Sequence, residues 1–453
     1  MFDWIYKNRL KSDLEIWVSK GWVSSEGAVS ILQDQDIDDG RSRLPMALAG
    51  IGVVCVALAL FAFIAANWGA IPKTVKLVGI ATLLFLSHGA AAVFAKKSKT
   101  GLSDLATGFA TLVFVGGMAL VGQIFHLPTD WQGGAFLVCL GGLAAAWLTG
   151  SKTSLVIAAI AAISWQIERS GFEPPTGLEM LISLTFLVAI FAHPFLYPSR
   201  PSRWAAIAVL LVTYGRWFGE IAELLGSGDD IIVAMLLGGL GGLVCVMIQL
   251  GPVIDLYAKW SSYKSAKNHA HWLMLRSLQD IGFIILCGLI VLALVFAPEL
   301  SSDVSAKGLL PLPASLPLGA AILLCMAGLL LSFKTSKSLA LFAAIGLALI
   351  AVLMPVLTNN VIVLSSACLA ALTALCALGT WYNNRFWMLC AYLGLTAVAL
   401  WLLQVTIGSL LGQSLFFLMA GLLLLGMALW LARIFRKQKP DQSKSEADGE
   451  ATA

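Results

Sequence analysis

The sequence predicts an all-α, polytopic transmembrane helix bundle of about fourteen spans, with a short cytoplasmic N-terminal helical hairpin and both chain ends inside. Hydrophobic residues make up 59% of the 453 positions and charged ones only 12%, against roughly 45–50% and about 25% in soluble domains. Apolar stretches of the length a helix needs to cross a hydrocarbon core of about 30 Å recur from Pro45 to Phe435. Helices are expected because a lipid-exposed sheet edge leaves backbone groups unpaired, and the alternating code of a barrel is absent. The charges then sort by parity: 24 of the 29 Lys and Arg residues fall in every second connection, as the positive-inside rule requires.

Residues 1–44 read as a cytoplasmic helical hairpin and linker. Leu10, Leu14, Trp17 and Val18 share one helical face, Gly21 suits a C-terminal cap, and Ser24 caps a second helix carrying Ala28, Ile31 and Leu32. Acidic residues outnumber basic ones in this segment, which argues against a polybasic lipid-binding patch. Asp34, Asp36 and Asp38 have the odd-position spacing of a calcium loop. Asp39 and Pro45 stand where that loop needs Gly and Glu, so calcium binding is not expected. The first apolar run begins well behind this charged segment, so no cleaved secretory signal is expected.

The spans fall near 45–71, 75–95, 103–126, 131–149, 153–168, 178–197, 203–225 and 230–257, the first eight, within segment 45–257. A cytoplasmic loop, 258–278, separates them from spans near 279–298, 315–333, 338–355, 358–379, 385–404 and 408–432, within segment 279–435. The shortest, 153–168 and 338–355, define the topology least firmly. Residues 436–453 are polar, lack aromatics and read as a disordered cytoplasmic tail. Gly238 and Gly242 form a small-xxx-small pair in span eight, which permits close helix approach. Asp255, behind Gly251 and Pro252, reads either as a membrane-end anchor or as the mark of a broken helix. The eight cysteines sit in apolar runs without metal or disulfide spacing, so they read as small buried hydrophobes.

Under this topology the outward-facing polar residues form the candidate site: Asn67, Trp68, Gln123, His126, Asp130, Glu168, Arg216 and Glu220. Ionisable groups at membrane depth are costly and face a bundle interior or a water-filled cavity. Arg216 and Glu220 are four apart and share a helical face. Two readings stand: a structural ion pair, or an Arg fork that holds an anionic substrate while Glu220 tunes or exchanges with it. His126 likewise reads as a proton-linked imidazole, with Gln123 one turn earlier, or as an interfacial histidine satisfied locally. Arg169 reads as an outer-loop cation. No phosphate loop, dinucleotide fingerprint, nucleophile elbow or paired metal-ligand helix is seen, so no catalytic residue, metal or cofactor is expected.

Three stretches carry a family resemblance. They are Trp17-Val18, Gly21-Trp22-Val23-Ser24 and Ala28; Ala65-Ala66-Asn67-Trp68 with Ile71-Pro72; and Gly122-Gln123-Ile124-Phe125-His126-Leu127 with Asp130. Over about residues 10–170 the chain resembles the bacterial predicted-membrane-protein family that carries domain of unknown function 2157. The resemblance implies a helical membrane domain behind a cytoplasmic hairpin in a bacterial inner membrane, and implies no activity.

The functional expectation is a secondary transporter or translocator with an outward-facing polar cavity. The alternative is a non-transporting membrane sensor or envelope-associated protein whose hairpin binds a partner. An intramembrane enzyme using Glu168 or His126 as acid or base ranks last. Expected partners are the lipid bilayer and a small-molecule or anionic substrate, with no nucleic acid and no protein partner named.

Overall fold

The computed structural model describes residues 13–28, 30, 43–66, 71–169, 176–225, 229–260, 270–297, 312–332, 336–358 and 360–406. Asn67, Trp68, Asp34, Asp36, Asp38, the fourteenth expected span at 408–432 and the tail at 436–453 lie outside them. All regular structure among the described residues is helical. Helical turns at 13–19 and 25–28 form the described part of the hairpin. Gly21, at φ 70°, joins them, and the Trp22 amide donates to Trp17 O across 2.9 Å. That is the six-residue closure of a left-handed helix cap, a conformation that favours glycine.

Thirteen longer helices follow among the described residues. The first seven are α1 (Arg43–Ala66), α2 (Lys73–Lys96), α3 (Thr100–Ile124), α4 (Trp131–Thr149), α5 (Lys152–Glu168), α6 (Gly177–Leu196) and α7 (Arg200–Leu225). The remainder are α8 (Asp229–Trp260), α9 (Ala270–Phe296), α10 (Leu312–Leu331), α11 (Ser336–Leu357), α12 (Val361–Trp381) and α13 (Arg385–Thr406). They correspond one to one with the first thirteen expected spans. The helices outrun the apolar runs around the expected loop at 258–278: α8 extends to Trp260 and α9 begins at Ala270. A helix satisfies its own backbone wherever water or lipid lies, so charged residues such as Arg276 do not end it. α8 also runs through Pro252 unbroken.

Ten of these helices are long and apolar enough to cross a membrane among the described residues. The others are α1, which contributes the shorter apolar helix Leu48–Ala57, α5, with 17 residues, and α7, which carries Arg216 and Glu220. Val78, Phe85 and Leu86 on α2 are exposed. A soluble monomer rarely leaves such side chains together in water, whereas lipid solvates them.

The chain divides into two compact units, Met1–Glu220 and Ile221–Ala453. In the first, α2 packs on α3 and α4 on α5, while α3 also meets α1, α4 and α5, and α6 meets α4 and α5. The α2–α3 and α4–α5 connections are short, which sets those partners antiparallel. Side chains at helix starts satisfy orphan amides: Asp130 accepts from Gly133 N at 2.7 Å, and Thr176 and Glu179 form a reciprocal capping box. Asp104 of α3 caps α5 from outside, accepting from Ser151 Oγ and Lys152 N at 2.7 Å, Thr153 Oγ1 at 2.8 Å and Thr153 N at 3.2 Å.

In the second unit α9 packs against α8, α11, α12 and α13, burying Phe283, Leu286, Ile290 and Leu294. Gly242 lets α8 approach the backbone of α10 closely. A Cβ on Gly242 would stand 2.5 Å from Leu318 N and 2.6 Å from Pro317 C, whereas one on Gly238 would meet only Leu353 Cδ2 at 3.6 Å. Trp387 stacks on Phe283 at 4.8 Å and donates its indole N–H to Asp280 at 2.8 Å. Cys139, Cys245, Cys287, Cys368 and Cys376 are buried, as small hydrophobes are, while Cys55 is exposed.

Candidate functional site

The polar side chains that come together lie where α5 ends, on α6 and on α7, all within the first unit. α5 is a short apolar helix that closes on Trp165, Gln166 and Glu168, with the Arg169 amide bonded back to Trp165 O at 3.0 Å. Gln166 and Arg169 are three apart and fall on one face. Trp165 and Gln166 are buried, and so is Arg169, at 3% exposure. Arg216 and Glu220 of α7 are 7% and 1% exposed.

Glu220 is the hub. Its Oε1 lies 2.6 Å from Arg169 Nη2 and 2.8 Å from Arg216 Nε. Arg216 also donates from Nη2 to the Arg169 carbonyl at 2.6 Å, so one guanidinium supports both the backbone and the carboxylate partner of the other. Gln166 sets the second guanidinium: its Oε1 accepts from Arg169 Nε at 2.9 Å. The Gln166 amide nitrogen donates to Ser183 Oγ on α6 and to Thr213 Oγ1 on α7, the latter at 3.2 Å. The Trp165 ring completes the setting, with the Arg169 guanidinium carbon 5.6 Å from its centroid and Phe186 in a T-shaped contact with it.

Burial lowers the pKa of Arg169 from its ordinary value. The Glu220 carboxylate acts in the opposite sense, Arg216 reinforces the lowering, and Glu179 opposes it. Arginine keeps its proton through shifts of this kind, so the network holds fixed charges. Arg169 Nη1 is buried and has no hydrogen-bond partner among the described residues.

The expected residues distribute unevenly around this network. Arg216 and Glu220 are its members and form the i, i+4 pair that their spacing permits. Gln123, His126, Asp130 and Glu168 are exposed, and the network is built without them. His126 stands at φ 51° directly after the last residue of the α3 cap, and the Leu127 amide closes on Gly122 O at 3.0 Å. Its position is thus the left-handed one that glycine commonly fills at a helix end. Asp130 is the N-cap of α4. Arg169, read from the sequence only as a cation of the connection after the fifth span, stands just past the end of α5, where it is buried and paired with Glu220 of α7. Ser183 and Thr213 carry no sequence signal of their own, whereas the Gln166–Arg169 spacing on one face is a usable one.

Residues 15–155 match the model of a family described as predicted membrane protein, DUF2157. No curated protein and no solved structure matches the chain. The matched segment contains Gln123, His126 and Asp130 and ends before Gln166. The chain is a membrane protein with multiple apolar helices.

Proposed function

We propose that the protein is a secondary transporter or translocator whose solute site is the Arg169–Glu220–Arg216 network. In this reading it spans a bacterial inner membrane about fourteen times, with both termini in the cytoplasm and the site toward the outer face. The first eight spans, within segment 45–257, carry the work, and the later ones, within 279–435, support them. The observation that carries the proposal is the burial of two guanidiniums and one carboxylate, each below a tenth exposed, among apolar helices. Apolar residues of similar volume would hold such helices together at least as well, so charges retained there point to function. The proposed site is narrower than the set read from the sequence, with Arg169 and Gln166 added.

Proteoliposome flux tests this. The purified full chain is reconstituted and screened with small anionic, neutral and cationic solutes, and Arg216→Ala and Arg169→Ala are compared with the native chain. Flux of at least one solute that falls in both variants supports the reading. Flux unchanged in both overturns the assignment of the site, and no flux of any solute overturns the transport function.

A second reading, a membrane sensor that binds a partner through segment 1–44, draws on the hairpin surface. Trp22 is 69% and Ile16 is 48% exposed there, and apolar side chains so displayed favour a covering partner or the bilayer surface. Deleting residues 1–44 abolishes function in that reading while the helices still insert.

A further inference from the structure

We infer that Arg169 is the ligand-contacting cation of this network and that its ligand is a monovalent carboxylate, an inference that rests on the solute-site reading above. The donors of Arg169 are assigned one by one. Nε serves Gln166 and Nη2 serves Glu220, while Nη1 is buried and meets no acceptor among the described residues. A buried charged donor without an acceptor is unfavourable, and a carboxylate oxygen is the partner whose geometry and charge suit a guanidinium edge.

Charge favours a monoanion over a dianion. Arg169, Arg216 and Glu220 together leave one positive charge, and Glu179, which also acts on Arg169 while accepting from Thr176 N at 2.9 Å and Thr176 Oγ1 at 3.1 Å, reduces it further. Arg169 stands just past the end of α5 and not in the middle of a helix.

Glu220 has a definite part in this scheme. It occupies one limb of the Arg169 fork, so it competes with the ligand for a second hydrogen bond. Removing its charge while keeping its shape leaves a weaker amide acceptor on that limb, which a bidentate carboxylate displaces more readily.

The test uses the purified full chain in lipid nanodiscs, with sodium propionate or sodium phosphate replacing chloride at constant ionic strength and thermal unfolding as the readout. Propionate is expected to stabilise the native chain saturably in the millimolar range, and phosphate is not. Arg169→Gln is expected to weaken the propionate effect by about tenfold or more, while Arg169→Lys, which keeps the charge and loses the fork, retains part of it. Glu220→Gln is expected to tighten propionate binding several-fold, and it decides the matter if Arg169→Gln does not fold. Propionate binding unchanged in Arg169→Gln, or not tightened in Glu220→Gln, overturns the role of Arg169. Stabilisation by phosphate and not propionate overturns the ligand class. Flux of neutral or cationic solutes without any propionate effect overturns the inference and leaves the transport reading standing, whereas absence of all flux removes both.

Discussion

The Arg169 guanidinium lies 2.6 Å from the Glu220 carboxylate, joining the end of α5 to the last turns of α7 in a pair that is almost wholly buried. Arg216 reaches the same carboxylate oxygen, so Glu220 compensates two cations at once. Glu220→Ala therefore leaves two buried guanidiniums facing each other. A loss of about 3–5 kcal/mol, the usual consequence of breaking a buried pair, is expected. Thermal unfolding in detergent measures it. The triple change Arg169→Met, Arg216→Met, Glu220→Leu is expected to recover most of the stability and to abolish flux, which separates architecture from function.

Asp104 gives the second prediction. Its carboxylate accepts four hydrogen bonds from Ser151, Lys152 and Thr153, so a residue of α3 holds the start of α5. Asp104→Ala leaves two backbone amides and two hydroxyls without that acceptor, and a loss of about 1–3 kcal/mol is expected. Asp104→Asn keeps one acceptor oxygen and is expected to lose less. α5 also delivers Arg169, so hydrogen exchange in Asp104→Ala is expected to rise along α5 before it rises in α2.

His126 is a conformational residue at the end of α3. At φ 51° a side chain is strained and glycine is not. His126→Gly is expected to match or exceed the native stability, and His126→Val to lose about 1 kcal/mol or more, since a β-branched residue tolerates this region least. Comparing the two melting curves checks it. A role that depends on the imidazole itself would show as lost activity in the stable His126→Gly protein.

Close packing of α8 on α10 gives the fourth. A methyl group on Gly242 overlaps the backbone at Pro317 and Leu318, which cannot move aside as a flexible side chain can. Gly242→Ala is expected to cost about 1–3 kcal/mol by overpacking. Gly238→Ala, with ordinary contact distances, is expected to be tolerated. Parallel thermal unfolding of the two variants distinguishes them, and equal losses would contradict this account of the helix approach.

These residues show which parts of the molecule can be read from sequence and why. Helices are legible because lipid demands long apolar runs, and their ends are legible where a local rule applies, as at Gly21 and the Arg216–Glu220 spacing. Asp104 and Arg169 escape for the opposite reason. Each acts across a tertiary contact, one capping a different helix and the other meeting α7, and nothing adjacent in sequence announces either partner. His126 and Asp130 show a different limit: each also has a local backbone role, at a left-handed position and at a helix N-cap, which a polar residue beside an apolar run does not announce.

The fifth prediction concerns α5, on which the location of the network depends. Its 17 residues reach about 26 Å, a little short of a typical hydrocarbon core. Local thinning of the bilayer and flanking polar residues that extend to the interface accommodate such a deficit at modest cost. If α5 crosses, Lys152 and Thr176 face opposite sides of the membrane. In a chain whose eight native cysteines are replaced, Lys152→Cys is expected to react with an impermeant thiol reagent only from the cytoplasm, and Thr176→Cys only from outside. Labelling of both from the cytoplasm would mean that α5 turns back within the membrane, which would move Arg169 to the cytoplasmic side. Lys99→Cys and Lys264→Cys add a parity check. Six helices lie between them if every one crosses, so both react from the cytoplasm, whereas failure of α5 alone places them on opposite sides.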